Sequence, residues 1–163
     1  MNIIVAACNN LGIGFKDTVP WNLKKDLRYF QNITKDGVVI MGRRTYFSIP
    51  ENFRPLKRRI NIVLTKNKYP FPSNVLVFNN FEDALKRAKT FKKNIYVIGG
   101  EDVYKTAIIH KDIEKIYYTD IHSNFMCDRF FPTIPSTFKS INDKQDIENN
   151  IKFTYKTFQN FKN

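Results

Sequence analysis

One carboxylate in this chain stands where its neighbours are apolar. Leu23, Asp26, Leu27, Phe30 and Ile33 recur three and four residues apart, the spacing of one face of a helix. Lys24, Lys25, Arg28 and Asn32 fall on the other faces. Asp26 therefore shares a stripe with greasy side chains. An unpaired carboxylate fully buried there is heavily penalised by lost solvation. It is tolerable at the edge of a cleft, where a ligand brings hydrogen-bond donors, and functional acids are found in such places. The competing reading is a helix residue at the margin of the stripe, paired with a lysine.

Two further segments could do chemistry. Val39-Ile40-Met41-Gly42-Arg43-Arg44-Thr45 and Val97-Ile98-Gly99-Gly100-Glu101-Asp102 each run from an apolar strand through glycine into a helix pattern. The start of a helix offers unpaired N–H groups and the positive end of its dipole, a seat for phosphate. Glycine lets a ligand approach the backbone closely. Arg43 and Arg44 add charge for a further phosphate. Two such junctions suit the two halves of a dinucleotide, although each alone also fits an ordinary turn. Neither is the GxGxxG fingerprint, so a standard Rossmann site is not indicated.

The elements that must position these residues alternate in kind. Asn2–Cys8 is a continuous apolar run suited to a buried strand, and Asn9–Asn22 reads as a loop. Leu23–Thr34 is the helix carrying Asp26. Val38–Met41 is a strand ended by Gly42, and Arg43–Ser48 a short helix. Arg59–Leu64 and Val75–Phe78 are strands separated by the turn-rich Asn67–Asn74. Phe81, Ala84, Leu85, Ala88 and Phe91 mark an amphipathic helix with Asn80 as its N-cap. Ile95–Ile98 is a strand, followed by a helix bearing Val103, Tyr104, Ala107 and Ile108. Ile113–Ile121 is a strand. Ile151, Phe153 and Tyr155 alternate with polar residues, as in a half-exposed antiparallel strand. The pattern predicts an α/β fold with a mostly parallel sheet, finished by antiparallel pairing near the C-terminus. No repeat or linker divides the chain, so a single domain over residues 1–163 is expected.

Composition narrows the function. Net charge is +12, so nucleic acid is a partner to consider. Yet the basic residues are scattered in short groups, and no RNA-binding signature surrounds the aromatics. Solvated surface and attraction of a small anionic ligand are the favoured reading, with no nucleic-acid partner. No apolar run approaches the ~18 residues that span a bilayer, so no membrane partner is expected. Met1–Cys8 lacks the flanks of a signal peptide. The only two cysteines, Cys8 and Cys127, form no close pair in sequence, which argues against a disulfide framework or a zinc site. A reducing, cytoplasmic location follows as the default. No carboxylate–histidine group has metal-ligand spacing, so no metal is expected. There is no GxSxG elbow, and Cys8 reads as core.

Taken together these residues resemble the dihydrofolate reductase family along almost the whole chain. The matching segments run Val5-Ala6-Ala7, Gly12-Ile13-Gly14, Pro20-Trp21-Asn22-Leu23, Asp26, Phe30, Thr34 and Ile40-Met41-Gly42-Arg43-Arg44-Thr45. They continue through Ser48-Ile49-Pro50, Arg54-Pro55-Leu56, Arg59-Ile60-Asn61, Ile98-Gly99-Gly100, Val103-Tyr104, Thr119 and Phe131-Pro132. The resemblance implies a central, mostly parallel sheet with helices on both faces. It implies an NADPH-dependent oxidoreductase that reduces 7,8-dihydrofolate to 5,6,7,8-tetrahydrofolate and acts as a monomer.

It also implies roles. Asp26, Trp21 and Thr119 form the catalytic set: Asp26 holds the pterin, Thr119 is its hydroxyl partner, and Trp21 holds a water near the acid. Leu27, Phe30, Ile49 and Leu56 line the apolar slot, Val5 and Ile98 offer backbone carbonyls, and Arg59 grips the glutamate carboxylate. Ala7, Ile13 and Gly14 flank the nicotinamide. Arg44, Thr65 and Lys66 read the 2′-phosphate. Gly42, Arg43 and Thr45 lie at one pyrophosphate junction, and Gly99, Gly100 and Tyr104 at the other, with the Gly-Gly bond cis. Hydride passes from nicotinamide to pterin, and water carries the proton to the adjacent nitrogen. Asn9–Asn22 becomes a lid. Lys57 and Arg58 beside Arg59 suggest polyglutamylated folates. Tyr46, Arg58 and Cys127 depart from common family choices, and Glu101 and Asp102 must point away from the phosphates. The rivals are a related reductase acting on a ribosylated pyrimidine, a basic nucleic-acid-binding module, and a folate-binding protein without catalysis.

Overall fold

The computed structural model describes residues 1–162; Asn163, the last residue of the expected domain, lies outside the described residues. The chain runs β1 (Asn2–Ala7), β2 (Gly12–Gly14), α1 (Lys24–Thr34), β3 (Val38–Gly42), α2 (Arg43–Ser48) and a 3-10 turn at Glu51–Phe53. It continues with β4 (Ile60–Leu64), β5 (Val75–Phe78), α3 (Phe81–Lys89), β6 (Ile95–Gly99), α4 (Glu101–Ile108) and β7 (Lys115–Ile121). β8 (Arg129–Phe130), β9 (Phe138–Glu148) and β10 (Ile151–Asn160) complete it.

Eight strands form one sheet in the order β5-β4-β3-β6-β1-β7-β10-β9. β10 pairs antiparallel with both β7 and β9, and the other neighbours are parallel. Alternation along the strands divides the core. Ile3, Val5, Val38, Ile40 and Ile62 pack with Ala84, Leu85 and Ala88 of α3 and Tyr104, Ala107 and Ile108 of α4. Their neighbours Ile4, Val39, Met41 and Val63 turn to the other side, against Tyr46 of α2 and Tyr29, Phe30 and Ile33 of α1. Helices thus cover both faces, and the central strands are apolar on both sides because neither face meets water. Asn80 caps α3 through its Oδ1, which accepts from Asp83 N–H at 2.8 Å.

Three elements differ from the sequence expectation. The segment Asn9–Asn22 is not purely loop: β2 pairs with β8 in a small antiparallel ribbon. Strands of two and three residues are too short to show a period. β9 has no counterpart in the hydrophobic pattern, because it is an edge strand whose residues from Lys139 to Gln145 are exposed. The two cysteines, 119 positions apart, meet in space with Sγ atoms 3.8 Å apart, although both are free thiols.

Candidate active site

The parallel strands β1, β3 and β6 end at Ala7, Gly42 and Gly99, on the edge where ligands bind in open α/β sheets. α1 follows the loop after β1 and lies on the face of Met41 and Tyr46. Its stripe delivers Asp26 to β7, where Thr119 donates its hydroxyl to Asp26 Oδ1 at 2.7 Å. Thr119 is itself buried and pairs in register with Ala6 on one side and Tyr155 on the other. Burial pushes the Asp26 carboxyl above its ordinary range, the Thr119 hydroxyl opposes this, and the charge of Glu148 adds to it. Leu27, expected on the same stripe, is 58% exposed, so the stripe points partly into open space beside Asp26. Trp21 packs on Phe125 with ring centroids 5.5 Å apart.

Arg59 sits at the far side of Phe30, its guanidinium 6.0 Å from that ring. Its Nε donates to the Lys57 carbonyl at 2.8 Å, and one terminal nitrogen donates to Thr34 Oγ1 at 3.2 Å. Burial lowers its proton affinity, yet the guanidinium stays charged. The loop between Leu56 and Arg59 is held by Asn61, a buried residue of β4. Its Nδ2 donates to the carbonyls of Leu56 and Arg59 at 2.9 and 3.0 Å, and its Oδ1 accepts from Leu56 N–H at 2.9 Å. Arg54 reinforces the next turn by donating to the Ile49 carbonyl at 2.7 Å. Phe30, Ile49 and Leu56 are half-buried against the same core cluster as Ile98. Arg58, by contrast, is turned to Asp36 at 3.2 Å.

The glycine junctions converge. α2 and α4 start at Gly42 and Gly100, and neither helix has a side-chain cap. A Cβ built on Gly42 would lie 3.9 Å from Gly100 N. Gly99 has φ 122°, a region L side chains rarely adopt, and the Gly99–Gly100 peptide is cis. The Thr45 hydroxyl oxygen sits 3.3 Å from where a Cβ on Gly100 would be. Tyr104 donates its hydroxyl to the Ile4 carbonyl at 2.8 Å, pinning α4 to β1. Beside α4 a cavity of about 270 Å³ is lined by Thr65, Lys66, Asp102, Val103 and Thr106, among others.

Glu101 is turned away from this junction: its Oε1 accepts from Phe130 N–H at 2.9 Å. Asp102 lines the cavity beside α4. Arg43 stacks on Tyr69, 4.5 Å from the ring centroid, and donates to its hydroxyl. Arg44 is exposed. The donor set fits a dinucleotide: backbone N–H groups without side-chain caps, glycine where a ligand must come close, and Lys66 and Thr65 at a cavity one strand away.

β2 brings Ile13 and Gly14 to the same rim, beside Ala7. Gly12 packs so closely that a Cβ there would fall 2.4 Å from Cys127 Sγ. The loop continues into a small hairpin in which Phe15 and Thr18 exchange backbone hydrogen bonds of 2.8 and 3.0 Å. Asp128 ties it down, donating N–H to the Gly14 carbonyl at 2.9 Å and accepting from Lys16 N–H at 3.1 Å.

Sequence reasoning missed the role of Asn61, which it quoted only as part of a matching segment, and missed Glu148 and Asp128 altogether. Asn61 carried a signal, a polar residue inside an apolar strand pattern. Glu148 and Asp128 carried none, since each acts across the fold. Among the described residues, no three His, Cys, Asp or Glu side chains gather into a group that could hold a metal ion, and no helix is long and apolar enough to cross a membrane.

Comparison with known proteins points the same way. The sequence model of the family described as dihydrofolate reductase matches residues 1–160. A dihydrofolate reductase of Drosophila melanogaster is 39% identical, over 97% of this chain and 96% of its own length. Those of Aedes albopictus and Heliothis virescens are 37% and 38% identical, over 97% and 98% of this chain and 96% of each relative. With the family's sequence pattern spanning the fold and its acid set against Thr119, the chain belongs to the dihydrofolate reductase family, a family of oxidoreductases.

Proposed function

We propose that this chain reduces 7,8-dihydrofolate to 5,6,7,8-tetrahydrofolate with NADPH, as a monomer in the cytoplasm. The observation that carries the reading is the hydrogen bond from Thr119 to Asp26, which holds one largely buried carboxylate against β7 in a chain of this family. When bound, NADPH supplies the hydride. The chain's own groups supply orientation, charge and exclusion of water.

Asp26 accepts hydrogen bonds from the pterin amino group and ring N–H. The Thr119 hydroxyl holds Asp26 Oδ1 and leaves Oδ2 for the pterin. Asp26 raises the basicity of the ring nitrogen next to the carbon that is reduced, and water positioned by Trp21 delivers the proton to that nitrogen. Leu27, Phe30, Ile49 and Leu56 form the apolar walls, with the carbonyls of Val5 and Ile98 at the floor. Arg59, pre-set by Thr34 and the Lys57 carbonyl, takes the glutamate carboxylate. Ala7, Ile13 and Gly14 would flank the nicotinamide. Gly42, Arg43 and Thr45, with Gly99, Gly100 and Tyr104, would hold the pyrophosphate side. Thr65, Lys66 and Arg44 would read the 2′-phosphate.

The test is NADPH consumption followed spectrophotometrically with dihydrofolate, with and without methotrexate. Asp26→Asn should keep the fold and lower kcat about 100-fold near neutral pH, the scale of a lost preorganised electrostatic group. Unchanged turnover in that variant would remove Asp26 from the mechanism. Turnover of a ribosylated pyrimidine in place of dihydrofolate would redirect the substrate assignment.

A further inference from the structure

The start of α1 is capped from the other end of the chain. Leu23, at the N-cap position, makes no side-chain cap bond. Instead Glu148 presents both carboxylate oxygens to the helix: Oε2 accepts from Lys24 N–H and Oε1 from Lys25 N–H, each at 2.8 Å. Those partners are 124 and 123 positions away in sequence. A negative carboxylate at this place satisfies unpaired donors and meets the positive end of the helix dipole.

The hairpin that carries Glu148 is fastened to α1 at several points. Lys25 Nζ donates to Asp146 Oδ1 at 2.9 Å and to the Ile147 carbonyl at 3.1 Å. Asn149 Nδ2 donates to the Asn22 carbonyl at 3.4 Å. Tyr29 of α1 stacks on Tyr155 of β10 with centroids 4.2 Å apart.

We propose that Glu148 is a positioning residue for the reaction, which through its two hydrogen bonds to the first turn of α1 fixes Asp26 against Thr119 and places a second negative charge behind that acid. The proposal rests on the reading of Asp26 as the pterin-binding acid. Asp26 follows Lys25 directly, so any fraying of this turn moves the carboxylate that must meet the substrate. The N–H groups of Lys25 and Lys24 hold Glu148 below the usual carboxylate range and so keep it charged, and that charge adds to the effect of burial on Asp26. The other titratable or charged groups around the pair are Lys24, Lys25 and Tyr29 on α1, Tyr117 on β7, Asp146 on β9 and Tyr155 on β10.

The experiment compares pH profiles of kcat and kcat/KM for Glu148→Gln, Glu148→Ala and Asp146→Asn, each also in the Asp26→Asn background. Glutamine keeps an acceptor oxygen and loses the charge, so the Asp26 ionisation should move to lower pH with kcat little changed. Alanine loses the cap as well, and kcat should fall about 5-fold at unchanged KM for NADPH, the scale of a lost helix cap. Asp146→Asn should leave the profile in place, and no Glu148 variant should move a profile once Asp26 is gone.

Profiles of both Glu148 variants that superimpose on the parent overturn the proposal. So does an equal displacement by Asp146→Asn, which would make the effect one of general hairpin charge. A displacement that persists without Asp26 overturns it too. Loss of turnover in Asp26→Asn with silent Glu148 variants sinks only the role of Glu148. Full turnover in Asp26→Asn sinks the reading beneath it.

Discussion

Two hairpins of the molecule share a turn geometry while differing in how they are held. The hairpin Phe15–Thr18 turns through Lys16 and Asp17, with φ of 48° and 61°. The hairpin β9–β10 turns through Asn149 and Asn150, with φ of 51° and 60°. Positive φ at both central residues matches the twist of paired strands. Asparagine adopts that region readily, whereas for lysine it is costly. The first hairpin is held at its tip by a single bridge and by Asp128. The second is zipped from Ile151↔Glu148 to Asn160↔Phe138 and bolted onto α1. The difference teaches that this fold concentrates its cross-links behind the acid and leaves the Phe15–Thr18 hairpin held by few contacts.

The largest expected effect attacks the Gly12–Cys127 contact that precedes the first hairpin. Gly12→Ala forces a Cβ within 2.4 Å of Cys127 Sγ and 2.7 Å of its Cβ, and should cost about 2–3 kcal/mol by overpacking, read as a lower thermal midpoint. Pairing it with Cys127→Gly should restore most of the loss; no recovery would place the fault elsewhere.

Breaking the clamp comes next. Asn149→Ala with Asn150→Ala should cost about 1–2 kcal/mol through two left-handed alanines, and should displace the pH profile as loss of the Glu148 cap does. If kinetics stay unchanged while stability drops, the turn matters for folding alone.

A third change sharpens the link between clamp and acid. The folded-state proton affinity of Asp26 lies above its unfolded value, so its contribution to stability is full below the unfolded pKa and is lost as pH rises through the folded pKa. Asp26→Asn removes that neutral-pH penalty and should stabilise the ligand-free protein by about 1 kcal/mol near pH 7, with the gain vanishing in acid. Chemical denaturation across pH measures it, and a variant less stable than the parent at neutral pH would contradict it.

The smallest effect lies at the tip of the Phe15–Thr18 hairpin. Asp17→Gly should relieve one left-handed residue and stabilise by about 0.5 kcal/mol without moving the pH profile. A profile that moves would join the two hairpins that the comparison separates.

The parts of the site that were legible in sequence are those set by local periodicity. Asp26 betrayed itself by standing in an apolar stripe, and the Gly42 and Gly99-Gly100 junctions by punctuating strands before helices. Apolar runs located β1, β3, β4 and β6 because strands covered on both faces carry unbroken hydrophobic sequence. What stayed hidden is tertiary. β9 borders one strand and faces water along most of its length, so nothing selected an alternating pattern, and Glu148 at its end looked like one more surface acid. The Cys8–Cys127 contact joins two loops with no shared signal. Asp102 was legible as part of a helix start, whereas the cavity it lines is formed with Thr65 and Lys66 from a distant segment.

β9 also forms one of the two open margins of the sheet, with short β5 at the other. An unpaired strand edge invites a second copy to add its own strand. Here the inviting row of backbone groups is interrupted by Lys139, Asp143, Lys144 and Asp146, charges of both signs that a docking strand would have to desolvate. The same polar sequence that concealed this strand from pattern analysis therefore makes its long open border costly to dock against.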